Sequence, residues 1–399
     1  AEIEKTDIFD DVKLADFEEA LAAGTIEYID NALIERYYAA VMAQALRPEL
    51  GKTAGLRLVY TPLNGSGLVP VMTVLKRMGH TDITVVPEQE KPDGDFPTCP
   101  YPNPEILEAM QLGLNLCEKL GADLLLATDP DSDRVGTAVL QNGAPRLISG
   151  NEMGVLLLDY ICRTRLELCK MPENPVAVRS IVSTTMSDAV AAHYGVEMRQ
   201  VLTGFKYIGE QIAHLEAEGH PERFLFGFEE SYGYLSGGYV RDKDAVVASM
   251  LICEMAAWYK GQGKNLGEAL DDLYAQYGYY FNKVDSYTFP GSDGMEKMAV
   301  LMQKLRTELP FVIGSRAVTG HTDYETGLRY EDGEGRTHTG LPAADVMEFR
   351  FGKEGSLVAR PSGTEPKLKF YYSLRASDRA AAEAAYGEIK ASVERWLGL

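Results

Sequence analysis

LLLATDPDSDR, residues 124–134, carries the strongest structural signal in this sequence. Its first five residues are uncharged and mostly apolar, which indicates a buried strand. Carboxylates then follow at alternate positions, in Asp129, Asp131 and Asp133. Because alternate residues of an extended segment point the same way, the three carboxylates can converge on one hard cation. Ligands that are all oxygens favour magnesium over zinc or copper.

Two alternatives to a magnesium loop remain open, and a third, the EF-hand, can be dismissed. A solvated acidic turn is the plainest interpretation. Haloacid-dehalogenase-type phosphatases also place an Asp-x-Asp pair after an apolar strand, which would make Asp129 a nucleophile but leaves Asp133-Arg134 unexplained. An EF-hand is excluded, since its required Gly and Glu are replaced by Arg134 and Leu140.

Strands and helices alternate on both sides of this segment. The patterns predict strands at 56–60 and 83–86, a helix at 69–78, and a helix that Asn103 caps. Strands joined through helices by short links imply a parallel sheet with helices on its faces. Asn142-Gly143 is typical of a hairpin turn that closes this domain.

The alternation restarts near residue 148 and changes its order beyond about residue 280. Strands then lie between a helix at 294–307 and a last helix that Ser377 caps, which is typical of an α+β domain. We therefore expect two consecutive α/β domains with mainly parallel sheets, followed by a C-terminal α+β domain. The predicted boundaries are 1–26 for the tail of a preceding domain, then 27–147, 148–281 and 282–399.

Arg360-Pro361-Ser362-Gly363-Thr364-Glu365-Pro366 is a candidate phosphate site between two predicted strands. It offers a guanidinium, two hydroxyls and a glycine that a phosphate can approach closely. Lys367 and Lys369 add positive charge in an otherwise acidic chain. An ordinary hairpin loop is the alternative interpretation.

Gly227-Phe228-Glu229-Glu230-Ser231-Tyr232-Gly233 follows another apolar strand. The carboxylate of Glu229 and the hydroxyl of Ser231 suit neighbouring sugar hydroxyls, because one accepts and the other accepts or donates. An acidic loop at the end of a strand, with no ligand, is an equally simple interpretation.

The overall charge restricts the possible partners. The formal net charge is -20, from 59 acidic and 39 basic residues, so neither nucleic acid nor a membrane is an expected partner. Five cysteines without paired spacing favour a reducing cytoplasm. The sequence shows no apolar run long enough for a transmembrane helix and no signal peptide at its start.

Taken in order, DPDSDR, FEESYG and RPSGTEPK resemble the α-D-phosphohexomutase family, especially its phosphoglucomutase/phosphomannomutase branch. The resemblance covers nearly the whole chain and extends to 61–67, 203–206 and 241–245. It implies an enzyme, an intramolecular phosphotransferase that uses Mg²⁺ and interconverts sugar 1-phosphates and 6-phosphates through a bisphosphate. The substrate would be a glucose, mannose or pentose phosphate.

The resemblance also implies roles for individual residues. Asp129, Asp131 and Asp133 would bind the metal. The residues expected to contact substrate are Glu229, Ser231, Lys206, Arg360, Ser362, Gly363, Thr364 and Lys369. The catalytic residues would be Arg134 and Lys243.

The sequence departs from the family pattern in two places. Many members have His where Gly233 stands, so Lys243 is the expected replacement as general acid/base. The family nucleophile is a phosphorylated Ser in a Ser-His-Asn-Pro-like loop, and this sequence contains no such loop. We therefore expect a fragment that lacks the phosphoserine domain and is inactive alone. A non-catalytic phosphosugar-binding protein remains an alternative.

Overall fold

A computed structural model describes residues 2–291, 293–363 and 365–399. It separates into two units that meet in sequence between residues 43 and 44. The first unit contains helices α1 (Phe17–Ala22) and α2 (Asn31–Met42). Each begins at an aspartate whose side chain accepts a backbone N–H, Asp16 from Glu19 and Asp30 from Ala32. Such caps satisfy N–H groups that have no partner inside the helix.

The second unit opens with a five-stranded sheet. Its elements are α3 (Leu50–Thr53), β1 (Leu58–Thr61), α4 (Leu68–Arg77), β2 (Ile83–Val85), α5 (Leu107–Leu120), β3 (Leu124–Thr128), β4 (Val135–Gln141) and β5 (Ala144–Ile148). The order is β2-β1-β3-β4-β5. Strand β1 pairs in parallel with β2 and β3, and β4 pairs antiparallel with β3 and β5. Asn142 and Gly143 both have positive φ, 53° and 78°, which confirms the predicted hairpin.

A four-stranded sheet follows. Its elements are α6 (Gly150–Glu167), β6 (Val176–Ser180), α7 (Met186–His193), β7 (Glu197–Val201), α8 (Phe205–Ala217), β8 (Phe224–Glu229), β9 (Gly233–Ser236), α9 (Ala245–Lys260) and α10 (Leu266–Tyr277). The order is β7-β6-β8-β9, and only the pair β8–β9 is antiparallel. Helix α9 is apolar on nearly all sides, with Ser249 and Glu254 as polar exceptions, and it is buried along nearly its whole length.

The C-terminal part is an antiparallel sheet covered by helices. Its elements are β10 (Tyr279–Thr288), α11 (Gly294–Thr307), β11 (Val312–Ile313), β12 (Arg316–Ala317), β13 (Gly320–Asp323), β14 (Leu328–Glu331), β15 (Gly335–His338), β16 (Met347–Arg350), β17 (Gly355–Pro361), β18 (Lys367–Ala376) and α12 (Arg379–Leu397). Seven strands run β10-β18-β17-β16-β13-β14-β15. Met302, Leu305 and Ile389 from the two helices share a core with Phe349 and Phe370 of the sheet.

The predicted fold class is confirmed, with a qualification for the first sheet, which mixes parallel and antiparallel pairs evenly. The four predicted boundaries stay predictions. Within the described part of the chain, no helix has both the length and the apolar character needed to cross a bilayer.

Two predicted helix caps are wrong. Asn103 accepts the N–H of Glu105 at 2.9 Å in a local turn, and α5 begins later, at Leu107. The cap of α12 is Asp378, which accepts the N–H of Ala381 at 2.9 Å. At α12 two adjacent residues, Ser377 and Asp378, can both cap, so composition alone does not choose between them. At α5 the N-cap position is Ile106, which offers no side-chain cap.

Candidate active site

The segment 129–134, here called the metal loop, leaves the carboxyl end of β3. Asp129 is fully buried, and its Oδ1 accepts the N–H groups of Asp133 at 3.0 Å and Arg134 at 2.9 Å. Its Oδ2 pairs with Arg134 Nε at 2.6 Å. Ser132 turns the chain with a φ of 58°. Asp129 therefore organises the loop from inside, while Asp131 is exposed and Asp133 half-buried.

The three predicted metal ligands lie together. One carboxylate oxygen each from Asp129, Asp131 and Asp133 lie within 4.8 Å of one another. This donor set contains oxygen only, and its size and charge fit a hard divalent cation. The residues present therefore suit a metal ion of this class, and they would hold it at the end of β3.

Two cationic side chains border the same carboxylates. Lys243 Nζ lies 2.6 Å from Asp133 Oδ2, and Arg134 reaches Glu105 at 3.4 Å besides Asp129. Burial by itself lowers the pKa of Lys243, but the hydrogen bond and the charge of Asp133 outweigh it, and the pKa is raised. Both residues expected to be catalytic thus lie at the metal loop.

The loop after β1 supports the metal loop from behind. Ser66 donates both its N–H and its hydroxyl to the carbonyl of Pro130, at 2.8 and 2.9 Å. Gly65 packs so closely that a Cβ there would clash with the backbone of Pro130. Through this contact the segment 61–67 holds the backbone from which the aspartate side chains project.

The segment 229–233, the sugar loop, follows β8. Glu229 is 5% exposed, and its Oε1 accepts the N–H of Gly204 at 2.6 Å. Gly204 has a φ of 123°, a conformation that only glycine adopts easily. Burial raises the pKa of Glu229, although the Gly204 N–H and Lys243 oppose the rise. Ser231 is half-buried beside it.

Glu230 faces away from this pair, toward the turn after β6. Its Oε2 accepts the hydroxyl of Ser180 at 3.0 Å and that of Ser183 at 3.3 Å. Burial, and secondly the charge of Glu229, raises the pKa of Glu230 to about 7. The sequence did not single this residue out for a separate role.

The metal loop and the sugar loop are joined through the backbone. Val135 donates its N–H to the carbonyl of Tyr232 at 3.1 Å, and Arg134 forms a β-bridge with Gly233. A Cβ at Gly233 would lie 2.7 Å from Cδ of Lys243. The glycine therefore makes room for the lysine, because a larger side chain at 233 would collide with it.

The segment 360–366, the phosphate loop, connects β17 and β18. The N–H of Ser362 donates to the carbonyl of Lys367 at 2.8 Å, and Arg360 lies opposite Lys369 in the sheet. Arg360, Ser362 and Gly363 line a cavity of about 520 Å³ together with Lys206. Thr364 lies outside the described residues.

Electrostatics relate the phosphate loop to the other two. The positive charge of Arg360 opposes the rise in the pKa of Glu229. The charges of Arg134 and of Lys369, which lies opposite Arg360, both reach Glu105. Partial burial raises the pKa of Glu105, and both cations oppose the rise. Glu105 was missed as a site residue because Asn103-Pro104-Glu105 was interpreted only as a helix start.

Family models match most of the chain. They are phosphoglucomutase/phosphomannomutase alpha/beta/alpha domain II at residues 35–142, domain III at 149–277, and the C-terminal domain at 328–389. A phosphoglucomutase of Staphylococcus haemolyticus (strain JCSC1435) is 39% identical over 80% of this chain and 57% of its own length. One of Staphylococcus aureus (strain MRSA252) is 36% identical over 81% and 57%. The chain thus spans about 57% of the length of these relatives.

Solved structures share the fold at low sequence identity. Parafusin, a phosphoglucomutase from Paramecium, has a TM-score of 0.64 and 16% identity, over 92% of this chain and 63% of its own. A phosphoglucomutase/phosphomannomutase family protein from Burkholderia thailandensis has a TM-score of 0.59 and 17% identity, over 89% and 64%.

Proposed function

The chain belongs to the phosphoglucomutase/phosphomannomutase family, and we propose that it supplies the metal, sugar and phosphate sites of a phosphosugar mutase. Such an enzyme interconverts sugar 1-phosphates and 6-phosphates through a bisphosphate. We place the protein in the cytoplasm, because all five cysteines are free thiols, as is usual in a reducing compartment.

The position of Lys243 is the observation that carries this proposal. Its ammonium contacts Asp133 of the metal loop at 2.6 Å, and its aliphatic part fills the space beside Gly233 of the sugar loop. A cationic proton donor is thus held between the proposed metal ligands and the proposed sugar contacts. General acid/base catalysis requires such a group within reach of the reacting hydroxyl.

The remaining residues bind different parts of the substrate. Arg360, Ser362 and Gly363 hold the phosphate that is not reacting, in the cavity that Lys206 also lines. Glu229 and Ser231 bind sugar hydroxyls, and Arg134 stabilises negative charge on the moving phosphoryl group. Asp129, Asp131 and Asp133 would hold a magnesium ion, which would supply further stabilisation of that charge.

The reaction also needs a phosphoryl donor. In the family pattern this is a phosphoserine in a Ser-His-Asn-Pro-like loop, which the sequence does not contain. The serine phosphoryl group would pass to the free hydroxyl of the substrate, and the other phosphate of the reoriented bisphosphate would return to serine. That this chain does not turn over substrate by itself stays a prediction.

Glucose phosphates are the proposed substrates. The curated relatives at 36–39% identity are named phosphoglucomutases, and the sugar loop pairs one carboxylate with one hydroxyl, as glucose hydroxyls can use. Mannose and pentose phosphates are the competitors that an experiment must separate.

The phosphatase alternative fits the geometry less well. A nucleophilic Asp129 would have to move an oxygen onto the substrate phosphorus, whereas the hydrogen bonds to both of its oxygens hold the carboxylate in place. Binding a metal ion needs only a lone pair that these bonds leave free. Release of inorganic phosphate by this chain, abolished in Asp129→Asn, would nevertheless establish it and contradict the mutase proposal.

Thermal unfolding with Mg²⁺ and glucose, mannose or ribose phosphates tests the proposal. A ligand at about 100 times its dissociation constant adds about 2.7 kcal/mol to the free energy of unfolding. We expect selective stabilisation by glucose phosphates, lost in Arg360→Ala.

Arg379→Ala is the matched control, because the exposed Arg379 guanidinium pairs with Glu383 at 2.8 Å in α12, beyond the end of β18 that is opposite the phosphate loop. It should keep most of the stabilisation. Equal stabilisation of Arg360→Ala and the unsubstituted chain would contradict the assignment of the phosphate loop. A preference for ribose phosphate would contradict the choice of substrate.

A further inference from the structure

A second cavity, of about 370 Å³, lies between the four-stranded sheet and the C-terminal sheet. Among its described lining residues, none belongs to the metal, sugar or phosphate loop. Its charged lining consists of Arg179, Arg329, Arg350, Lys353 and Arg375, with Asp188 and Glu348. Five cations against two carboxylates is a strong local excess in a chain with a net charge of -20.

Two of these cations are neutralised inside the protein. Arg179 is 1% exposed and forms two hydrogen bonds of 2.7 Å with the carboxylate of Asp188. Arg350 pairs with Glu348 at 3.0 Å and with Glu331 at 2.7 Å. These pairs account for both carboxylates of the lining.

The other three cations have no carboxylate partner among the described residues. Arg375 donates to the carbonyl of Tyr277 at 3.0 Å and lies over the ring of Tyr280, 5.6 Å from its centre. Lys353 is exposed at the rim. The Nε of Arg329 is buried, and no described group accepts its proton.

We propose that this cavity binds a small phosphorylated anion. A guanidinium presents a planar set of N–H donors that matches phosphate oxygens, and Arg329 and Arg375 contribute two such groups. Lys353 adds a third charge at the entrance. The volume admits a diphosphate or a sugar phosphate and excludes a folded partner. The site is separate from the proposed mutase site and does not depend on it.

Isothermal titration calorimetry with inorganic pyrophosphate tests this site. The titration uses the whole chain carrying Arg360→Ala, which weakens the phosphate loop, in a chelator-containing buffer free of Mg²⁺. We expect one bound pyrophosphate per chain. Adding Arg329→Gln and Lys353→Gln should lower the affinity at least about tenfold, because two of the three available charges are removed.

Arg336→Gln is the matched control. Arg336 lies on β15 opposite Tyr330 and is exposed, so its removal takes a guanidinium from the same sheet but not from the cavity lining. The affinity of this control chain for pyrophosphate should stay within about twofold of that of the Arg360→Ala chain. Absence of pyrophosphate binding in the Arg360→Ala chain would overturn the proposal, as would an unchanged affinity after both cavity substitutions.

A rim variant covers the case in which Arg329→Gln impairs folding. Lys353→Glu reverses a charge on an exposed side chain, so it should fold and still weaken pyrophosphate binding. Near-ultraviolet circular dichroism of each variant checks the fold. Undiminished binding by a folded Lys353→Glu chain would also count against the site.

Discussion

Asp129 and Asp131 are both proposed metal ligands, but their surroundings differ. Asp129 is fully buried and accepts three N–H groups from Asp133 and Arg134. Asp131 is exposed. The same change, from carboxylate to amide, should therefore have different consequences at the two positions.

We expect Asp131→Asn to weaken Mg²⁺ binding while changing the free energy of unfolding by less than about 0.5 kcal/mol. Asp129→Asn should weaken Mg²⁺ binding and also cost about 1–3 kcal/mol, because an amide cannot accept all three N–H groups. Calorimetry with Mg²⁺ and urea unfolding measure the two quantities. An Asp129→Asn chain as stable as the parent would contradict this role.

Glu230 makes stability depend on pH. Burial, and then the charge of Glu229, raises its pKa from 4.5 to about 7. The folded chain therefore binds this proton more tightly than the unfolded chain does. The contribution of Glu230 to stability is fully present below about pH 4.5 and is lost as the pH rises through about 7.

We expect Glu230→Gln to remove this contribution. Relative to the parent, the variant should become more stable as the pH rises from about 5 to about 8. Urea unfolding across that range measures the difference, with Glu118→Gln on the exposed face of α5 as the control. Parallel stability curves for parent and Glu230→Gln would refute the interpretation.

The contact between the β1–α4 turn and the metal loop belongs to the scale of elements. Gly65 lies against the backbone of Pro130, and Ser66 donates to the carbonyl of Pro130. A methyl group at 65 must push the two segments apart. The aspartates that follow Pro130 would move with it.

We expect Gly65→Ala to lower Mg²⁺ affinity and to cost about 1–3 kcal/mol of stability, as overpacking does. Gly94→Ala is the control, since a Cβ at Gly94 meets no atom within 4 Å. Calorimetry and urea unfolding measure both effects. If the Gly65→Ala and Gly94→Ala chains bind Mg²⁺ equally well, the proposed support of the metal loop is wrong.

At the scale of the whole molecule, sites from different sheets are mechanically connected. The metal loop joins β3 to β4 of the first sheet and the sugar loop joins β8 to β9 of the second, yet Val135 and Tyr232 share a backbone hydrogen bond. Lys243 contacts both loops. Binding at one loop should therefore alter the other.

We expect Mg²⁺ to raise the affinity for glucose 1-phosphate, and the sugar phosphate to raise the affinity for Mg²⁺ by the same factor, as linkage requires. Calorimetric titrations in both orders measure the two factors. Lys243→Ala should reduce the coupling, and Arg379→Ala, at an exposed ion pair of α12, should leave it unchanged. Fully independent binding would show that the two loops do not communicate.

Local features of the fold were predictable from sequence. The strand before Asp129, the Asn142-Gly143 hairpin and the change to an α+β arrangement in the C-terminal part are all confirmed. The caps at Asn103 and Ser377 were wrong: Asn103 accepts the N–H of Glu105 in a local turn instead, and the adjacent Asp378 caps α12 in place of Ser377.

The sequence by itself determined which segments form strands, helices and turns, and where candidate ligands leave the strands. Those properties depend on neighbours along the chain, through periodicity and turn chemistry. The tertiary structure alone decided that Lys243 meets Asp133, that Glu105 faces Arg134, and that five cations gather in one cavity. Burial and Coulomb interactions depend on distance in space, and residues far apart in the chain acquire that distance only when the sheets pack together.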